Sequence, residues 1–208
     1  MKNNKILIPV FAFLLLLSSA FIVVDPGYKP GDKAIDFKLK NVDGKLVSLR
    51  DENYNDAKGF IIVFTCNHCP FSKAYENRII ELNQKYSTSG YPVIAINSNN
   101  AEVSPEDSYD FMIKRAADKE FKFPYLYDES QAIAKAYGAN HTPHVFVLQK
   151  VGRDLIVKYM GAIDDNTDNP EEVTKYYVND AINSLLAGEP VAVPSTKSIG
   201  CTIKWKKS

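Results

Sequence analysis

In "AIDFKLKNVDGKLVSL" (34–49), apolar Ile35, Phe37 and Leu39 alternate with Asp36, Lys38 and Lys40. A period of two predicts a half-buried strand, Asp43-Gly44 a hairpin turn, and Leu46 to Leu49 the return strand. "GFIIVF" (59–64) is apolar and β-branched without alternation, the signature of a strand covered on both faces. Past Pro70, residues Tyr75, Ile79, Leu82 and Tyr86 recur at helical spacing and predict an amphipathic helix. "PVIAIN" (92–97) repeats the buried-strand pattern. Ser104-Pro105-Glu106-Asp107 supplies an N-cap, a first-position proline and first-turn acids, predicting a helix to about Glu120. "FPYLYD" (123–128) follows as a short strand, and Ser130 to Tyr137 as a short helix stopped by Gly138. "HVFVLQ" and "LIVKYMG" flank "KVGRD" as an antiparallel hairpin. Asn169-Pro170-Glu171-Glu172 opens a last helix, closed by Gly188 and Pro190.

Strand–helix alternation ending in a hairpin and a helix predicts an α/β fold. A mixed central sheet carries helices on both faces and an N-terminal β-hairpin extension. With 208 residues and 45% hydrophobic content, the chain suits one domain, over residues 25–194. Its 25 basic and 25 acidic residues cancel, which gives no footprint for a nucleic-acid partner. No Gly-rich phosphate loop is present, so neither flavin nor nucleotide cofactor is expected.

The two ends stand apart from this domain. Lys2 and Lys5 precede an apolar run from Ile6 to Val24, with Ser18 and Ala20 placed as a small-x-small cleavage signal. Residues 1–24 read as a secretory signal peptide or, if uncleaved, a membrane anchor. The domain is then expected outside the cytoplasm, in the periplasm or facing it. The tail, 195–208, is basic and turn-rich, yet Ile199, Cys201, Ile203 and Trp205 alternate in it. That pattern puts Cys201 on one buried face as a small hydrophobe; the competing reading is a third redox thiol.

Two of the three cysteines fall in "FTCNHCPF" (64–71). A strand ending at Cys66 and a helix starting at Cys69 set the pair at a helix N-terminus, where partial positive charge and free N–H groups favour a thiolate. Protonated His68 would add to that effect. Cys66 is expected to attack, with a depressed pKa, and Cys69 to resolve. Thr142-Pro143 lies just before the "HVFVLQ" strand, and a cis peptide there would aim the Thr142 backbone at an incoming peptide. Cys66 and Cys69 with His141 and His144 also offer a Cys₂His₂ set suited to copper(I) or zinc. Pro143 and strand alternation point the two histidines apart, so no metal is assigned. His141 is read as a loop residue tuning the thiolate or substrate choice, and His144 as a strand residue without chemistry.

"FTCNHCPFSKAYENRI", "VIAINSNNAEVSPEDSYDFM", "FPYLYDESQAIAKAYGA" and "GCTIKW" together resemble the redoxin group of the thioredoxin-like fold, in its alkyl-hydroperoxide-reductase/thiol-specific-antioxidant-like branch. The resemblance implies thiol–disulfide chemistry on Cys66 and Cys69, Pro143 as a cis-proline, a disulfide substrate meeting Thr142 and His141, and a separate redox partner. A hydroperoxide reductase of the peroxiredoxin kind and a copper chaperone on the same fold are the alternatives. The chain departs from the pattern in three ways, the first being that no Trp flanks the cysteines as in typical thioredoxins. The strand before Cys66 carries no Asp or Glu, leaving no obvious counterpart for the buried acid of many thioredoxins. Nor does Thr65 stand three residues before either cysteine, as the peroxidatic motif requires.

Overall fold

The computed structural model describes residues 27–207; the proposed export segment, 1–24, lies outside them. No helix among the described residues is long and apolar enough to cross a membrane.

Among the described residues, ten strands and four α-helices follow one another. They are β1 (Lys33–Ala34), β2 (Lys38–Asn41), β3 (Leu46–Ser48), β4 (Gly59–Phe64), α1 (Pro70–Tyr86), β5 (Val93–Asn97), α2 (Tyr109–Asp118) and β6 (Tyr125–Tyr127). After them come α3 (Ala132–Tyr137), β7 (His141–Thr142), β8 (His144–Val151), β9 (Asp154–Gly161), α4 (Tyr177–Ala187) and β10 (Cys201–Thr202). Eight strands form a mixed sheet in the order β1-β9-β8-β4-β5-β6-β2-β3, and β10 pairs with β7 in a separate ribbon. β4 runs parallel to β5 and antiparallel to β8.

The central strands are buried throughout because successive side chains feed two different cores. Ile61 and Val63 of β4 and Val145 and Val147 of β8 join Tyr75, Ile79, Leu82, Met112, Val178 and Ile182 on the α1, α2 and α4 face. Phe60, Ile62, Phe64, Phe146 and Leu148 face the other way, onto Phe37, Leu49, Ala134, Tyr137 and Ile203. Period-two alternation thus clothes one sheet on both sides, as the unbroken apolar runs require.

Four predicted elements differ. The 34–40 strand divides into β1 and β2, which sit at opposite regions of the sheet order. Residues 35–37 can span only about 14 Å between them, whereas six flat inter-strand steps cover about 29 Å; the sheet therefore curls. Ala34 and Phe37 turn inward and Ile35 is 46% exposed. The 104–120 helix breaks at Ser108, which is extended (ψ 160°) between a 3₁₀ turn at Pro105–Asp107 and α2. Asp107 has turned its side chain into the interior. The last helix starts at Tyr177, not Asn169; the Asn169 side chain caps a separate 3₁₀ turn at Pro170–Glu172. Finally, the tail does not bury one continuous face: Ile199 is 52% exposed, Ile203 is buried and Cys201 is half-buried.

Candidate functional site

β4 delivers the chain into Thr65-Cys66, and Cys69 occupies the N-cap of α1 with extended backbone (φ −62°, ψ 126°). Pro70 follows at the first helical position, where its missing N–H costs nothing and its fixed φ suits the helix. Both sulfurs are buried, Cys66 at 2% and Cys69 at 0% exposure, and both are free thiols. The strand-to-helix junction and its CxxC therefore stand where the sequence pattern sets them.

The second wall is the β7–β8 junction. The Thr142–Pro143 peptide is cis, and Thr142 meets both cysteines: its Oγ1 lies 3.2 Å from Cys66 Sγ, and its carbonyl accepts from Cys69 Sγ at 3.3 Å. Ser72 Oγ is 3.7 Å from Cys66 Sγ.

The acid absent from β4 comes from elsewhere. Asp107 is fully buried. Its Oδ1 accepts the backbone N–H groups of Asn67 (2.7 Å) and His68 (3.2 Å), and its Oδ2 accepts from Asn99 Nδ2 (2.7 Å), Ser104 Oγ (2.8 Å) and His68 Nδ1. One carboxylate thus holds the two central residues of the CxxC loop. Asn67 is further fixed by the Tyr125 hydroxyl, which donates to its Oδ1 at 2.9 Å. The Ser-Pro-Glu-Asp signature marks a helix start; nothing in it reveals that its last acid would face inward.

These contacts set the titration of the thiols. The Cys66 thiol is pushed up by the hydrogen bond it shares with Cys69, by burial and by the Asp107 carboxylate. Cys69 is pushed down, chiefly by that same hydrogen bond from Cys66, with help from N–H groups of Ser72 and Cys201. The pair holds one proton between two sulfurs: the first ionisation is eased and the second opposed. The expectation that Cys66 carries the depressed pKa is reversed: its hydrogen bond with Cys69, burial and the Asp107 carboxylate hold it up. His68 Nδ1 is held by the Asp107 carboxylate and Ser104 Oγ.

The other histidines go separate ways. His141 Nδ1 is 3.1 Å from Ser198 Oγ in the tail. His144 is buried against Phe146, ring centroids 4.6 Å apart, with Nδ1 unpartnered. Among the described residues, the metal-ligating side chains that converge are Cys66, His68 and Asp107, whose ligating atoms lie within 4.8 Å of one another.

The tail completes the site. β10 pairs antiparallel with β7, Cys201 opposite Thr142 and Thr202 opposite His141. Burial, with Cys69 nearby, pushes the Cys201 thiol up to about 11. Cys201, expected on a buried face, is a half-buried free thiol opposite Thr142. Two residues of strand are too few to reveal their partner by periodicity.

A family model described as Redoxin matches residues 29–177. A thiol-disulfide oxidoreductase ResA from Bacillus thuringiensis is 26% identical over 163 residues, covering 74% of this chain and 87% of ResA. Among solved structures, an uncharacterized conserved protein from Geobacillus kaustophilus is 42% identical, with a TM-score of 0.79 over 87% of this chain and 94% of that one. The exposed lipoprotein thioredoxin of Streptococcus pneumoniae, 21% identical with a TM-score of 0.53 over 74% of this chain and 99% of its own, shares the fold.

Proposed function

We propose that this chain, which belongs to the redoxin family, is an exported thiol–disulfide oxidoreductase working through Cys66 and Cys69. One observation carries the reading: both sulfurs of a CxxC at a helix N-terminus face the residue before a cis-proline, Cys66 Sγ on Thr142 Oγ1 at 3.2 Å and Cys69 Sγ on the Thr142 carbonyl at 3.3 Å. The thiol-disulfide oxidoreductase relative supports the same chemistry. The basic, then apolar, segment from Lys2 to Val24 supports export.

Ionisation of the pair falls first on Cys69, whose thiol otherwise donates to the Thr142 carbonyl. Passing the shared proton from Cys66 to Cys69 makes Cys66 a thiolate without any group leaving the site. That thiolate attacks a substrate disulfide, forming a mixed disulfide and releasing one substrate thiolate. Cys69 then gives up its proton and attacks Cys66 Sγ; the Cys66–Cys69 bond forms and the second substrate thiolate leaves. The His68 ring and the Asp107 carboxylate lie within 4.8 Å of Cys66 Sγ, near enough to exchange that proton through the site. Thr142, between His141 and Pro143, borders both sulfurs and would align a substrate, although its strand edge is paired with β10. The reverse sequence oxidises a dithiol with the same atoms.

Reduction of a protein disulfide by the dithiol, followed with and without chelator, tests the proposal. Turnover is expected to survive chelation, to be lost in Cys66→Ser, and in Cys69→Ser to stall as a trapped mixed disulfide. Loss of exchange on chelation, or full exchange in Cys66→Ser, would overturn it.

A further inference from the structure

The edge that a substrate strand would use is already paired. β10 lies antiparallel on β7, with Cys201 opposite Thr142, and Thr142 contacts both thiols of the CxxC. The tail is fastened on either side of this crossing. Upstream, Thr196 N–H bonds the Met160 carbonyl, and Thr196 Oγ1 accepts from Ala162 N–H and meets the Tyr159 hydroxyl at 2.6 Å. Downstream, Ile203 N–H bonds the Asn140 carbonyl, Lys204 N–H bonds Asn99 Oδ1, and Lys206 N–H bonds Gln131 Oε1. Between these anchors Gly200 packs flat on the cis-proline junction: a Cβ there would stand 2.2 Å from the Thr142 carbonyl oxygen and 3.1 Å from Pro143 N. This sets Cys201 across from Thr142, whose carbonyl accepts from Cys69 Sγ at 3.3 Å. Of the three thiols, Cys201 is the least buried.

We propose that the β10 tail is an internal substrate strand and Cys201 a third redox-active cysteine, exchanging with the oxidised CxxC through Cys69. This rests on the thiol–disulfide reading of Cys66 and Cys69. Cys201 sulfur attacks Cys69 Sγ, the Cys69–Cys201 bond forms, and the Cys66–Cys69 bond breaks with Cys66 as leaving group. The proton lost by Cys201 is taken up by Cys66. One disulfide replaces another, no external oxidant or reductant is consumed, and the attacking thiol Cys66 is freed while the oxidising equivalent moves to the tail.

The test oxidises the full chain carrying Cys66→Ser with oxidised glutathione, alkylates free thiols and maps the peptides by mass. A monomer with Cys69 bridged to Cys201 is expected. Adding Gly200→Ala, which removes no thiol and forces the tail off the Thr142 carbonyl, is expected to slow the bridge at least tenfold. Circular dichroism on this variant shows that the domain remains folded. Glutathionylated Cys69 with alkylatable Cys201, or a bridge forming at an unchanged rate in Gly200→Ala, would overturn the proposal. Trapping in Cys66→Ser needs no turnover, so the two readings fail separately. A wild type that exchanges disulfides without any Cys69–Cys201 bridge in the variant sinks only this one. A wild type that exchanges none while the variant bridges sinks the oxidoreductase reading.

Discussion

Removing the Asp107 carboxylate is the most direct test of what holds the CxxC loop. In Asp107→Ala five donors lose their acceptor: two backbone N–H groups, of Asn67 and His68, and the side chains of Asn99, Ser104 and His68. The side chains can turn toward other partners, and the His68 ring is 22% exposed. The two amides cannot; they are fixed by the loop. Each buried orphan costs about 1–3 kcal/mol, so the amides alone contribute roughly 2–6 kcal/mol. The substitution also removes the desolvation penalty of a buried carboxylate, an offset of a few kcal/mol. With five donors on one carboxylate the hydrogen bonds win, and a net loss of about 2–4 kcal/mol is expected. Asp107→Asn keeps one carbonyl oxygen for the amides but turns a donor toward Asn99, Ser104 and His68, so about half that loss is expected. Urea denaturation with both variants gives the answer from the shift in midpoint at unchanged slope. Because the carboxylate raises Cys66, its loss also moves the second thiol ionisation to lower pH, read from alkylation rate against pH. Stability within about 0.5 kcal/mol of wild type in Asp107→Ala, or a thiol profile displaced to higher pH, would refute the reasoning.

Two further tests probe the scaffold around the site. Burial, with His141 nearby, lowers His144 from 6.5 to about 4; the unfolded chain therefore binds the extra proton first as pH falls. Its contribution is intact above about pH 6.5 and is lost progressively toward pH 4, about 3 kcal/mol in all; His144→Phe should flatten that part of the stability–pH curve, and an unchanged slope would contradict it. Arg78 Nη1 binds Asp164 Oδ2 and the Asn166 carbonyl, each at 2.6 Å, while Nη2 binds the Thr167 carbonyl at 2.8 Å, clamping that loop onto α1. Arg78→Met leaves the buried Asp164 without its cation, for a loss of about 3–5 kcal/mol in chemical denaturation; a loss under 1 kcal/mol would show the clamp to be dispensable.

Local pattern alone determined a large share of this protein. β4 and β5 are unbroken apolar runs because each is covered on both faces. Tyr75, Ile79, Leu82 and Tyr86 point to one side of α1 because their spacing matches the helical repeat. Asp43-Gly44 turns β2 into β3, with Gly44 at φ 84°. The CxxC at the β4–α1 junction and the Thr-Pro before β8 needed no more than this. Tertiary structure decided the rest, and the reason is common to each case. Periodicity records which face of an element is apolar, but not which distant polar group will meet it. Asp107 satisfies every local requirement of an exposed helix start, and only the packing of the β5–α2 connection against residues 65–69 turns it into the anchor of Asn67 and His68. The pKa order of Cys66 and Cys69 follows from their shared hydrogen bond, from burial and from that carboxylate, so it too lay beyond the motif. Cys201 sits in a strand of two residues, too short for any repeat. Its place beside Cys69 is set by the long-range pairing of β10 with β7 and by a glycine that lets the tail lie against Thr142.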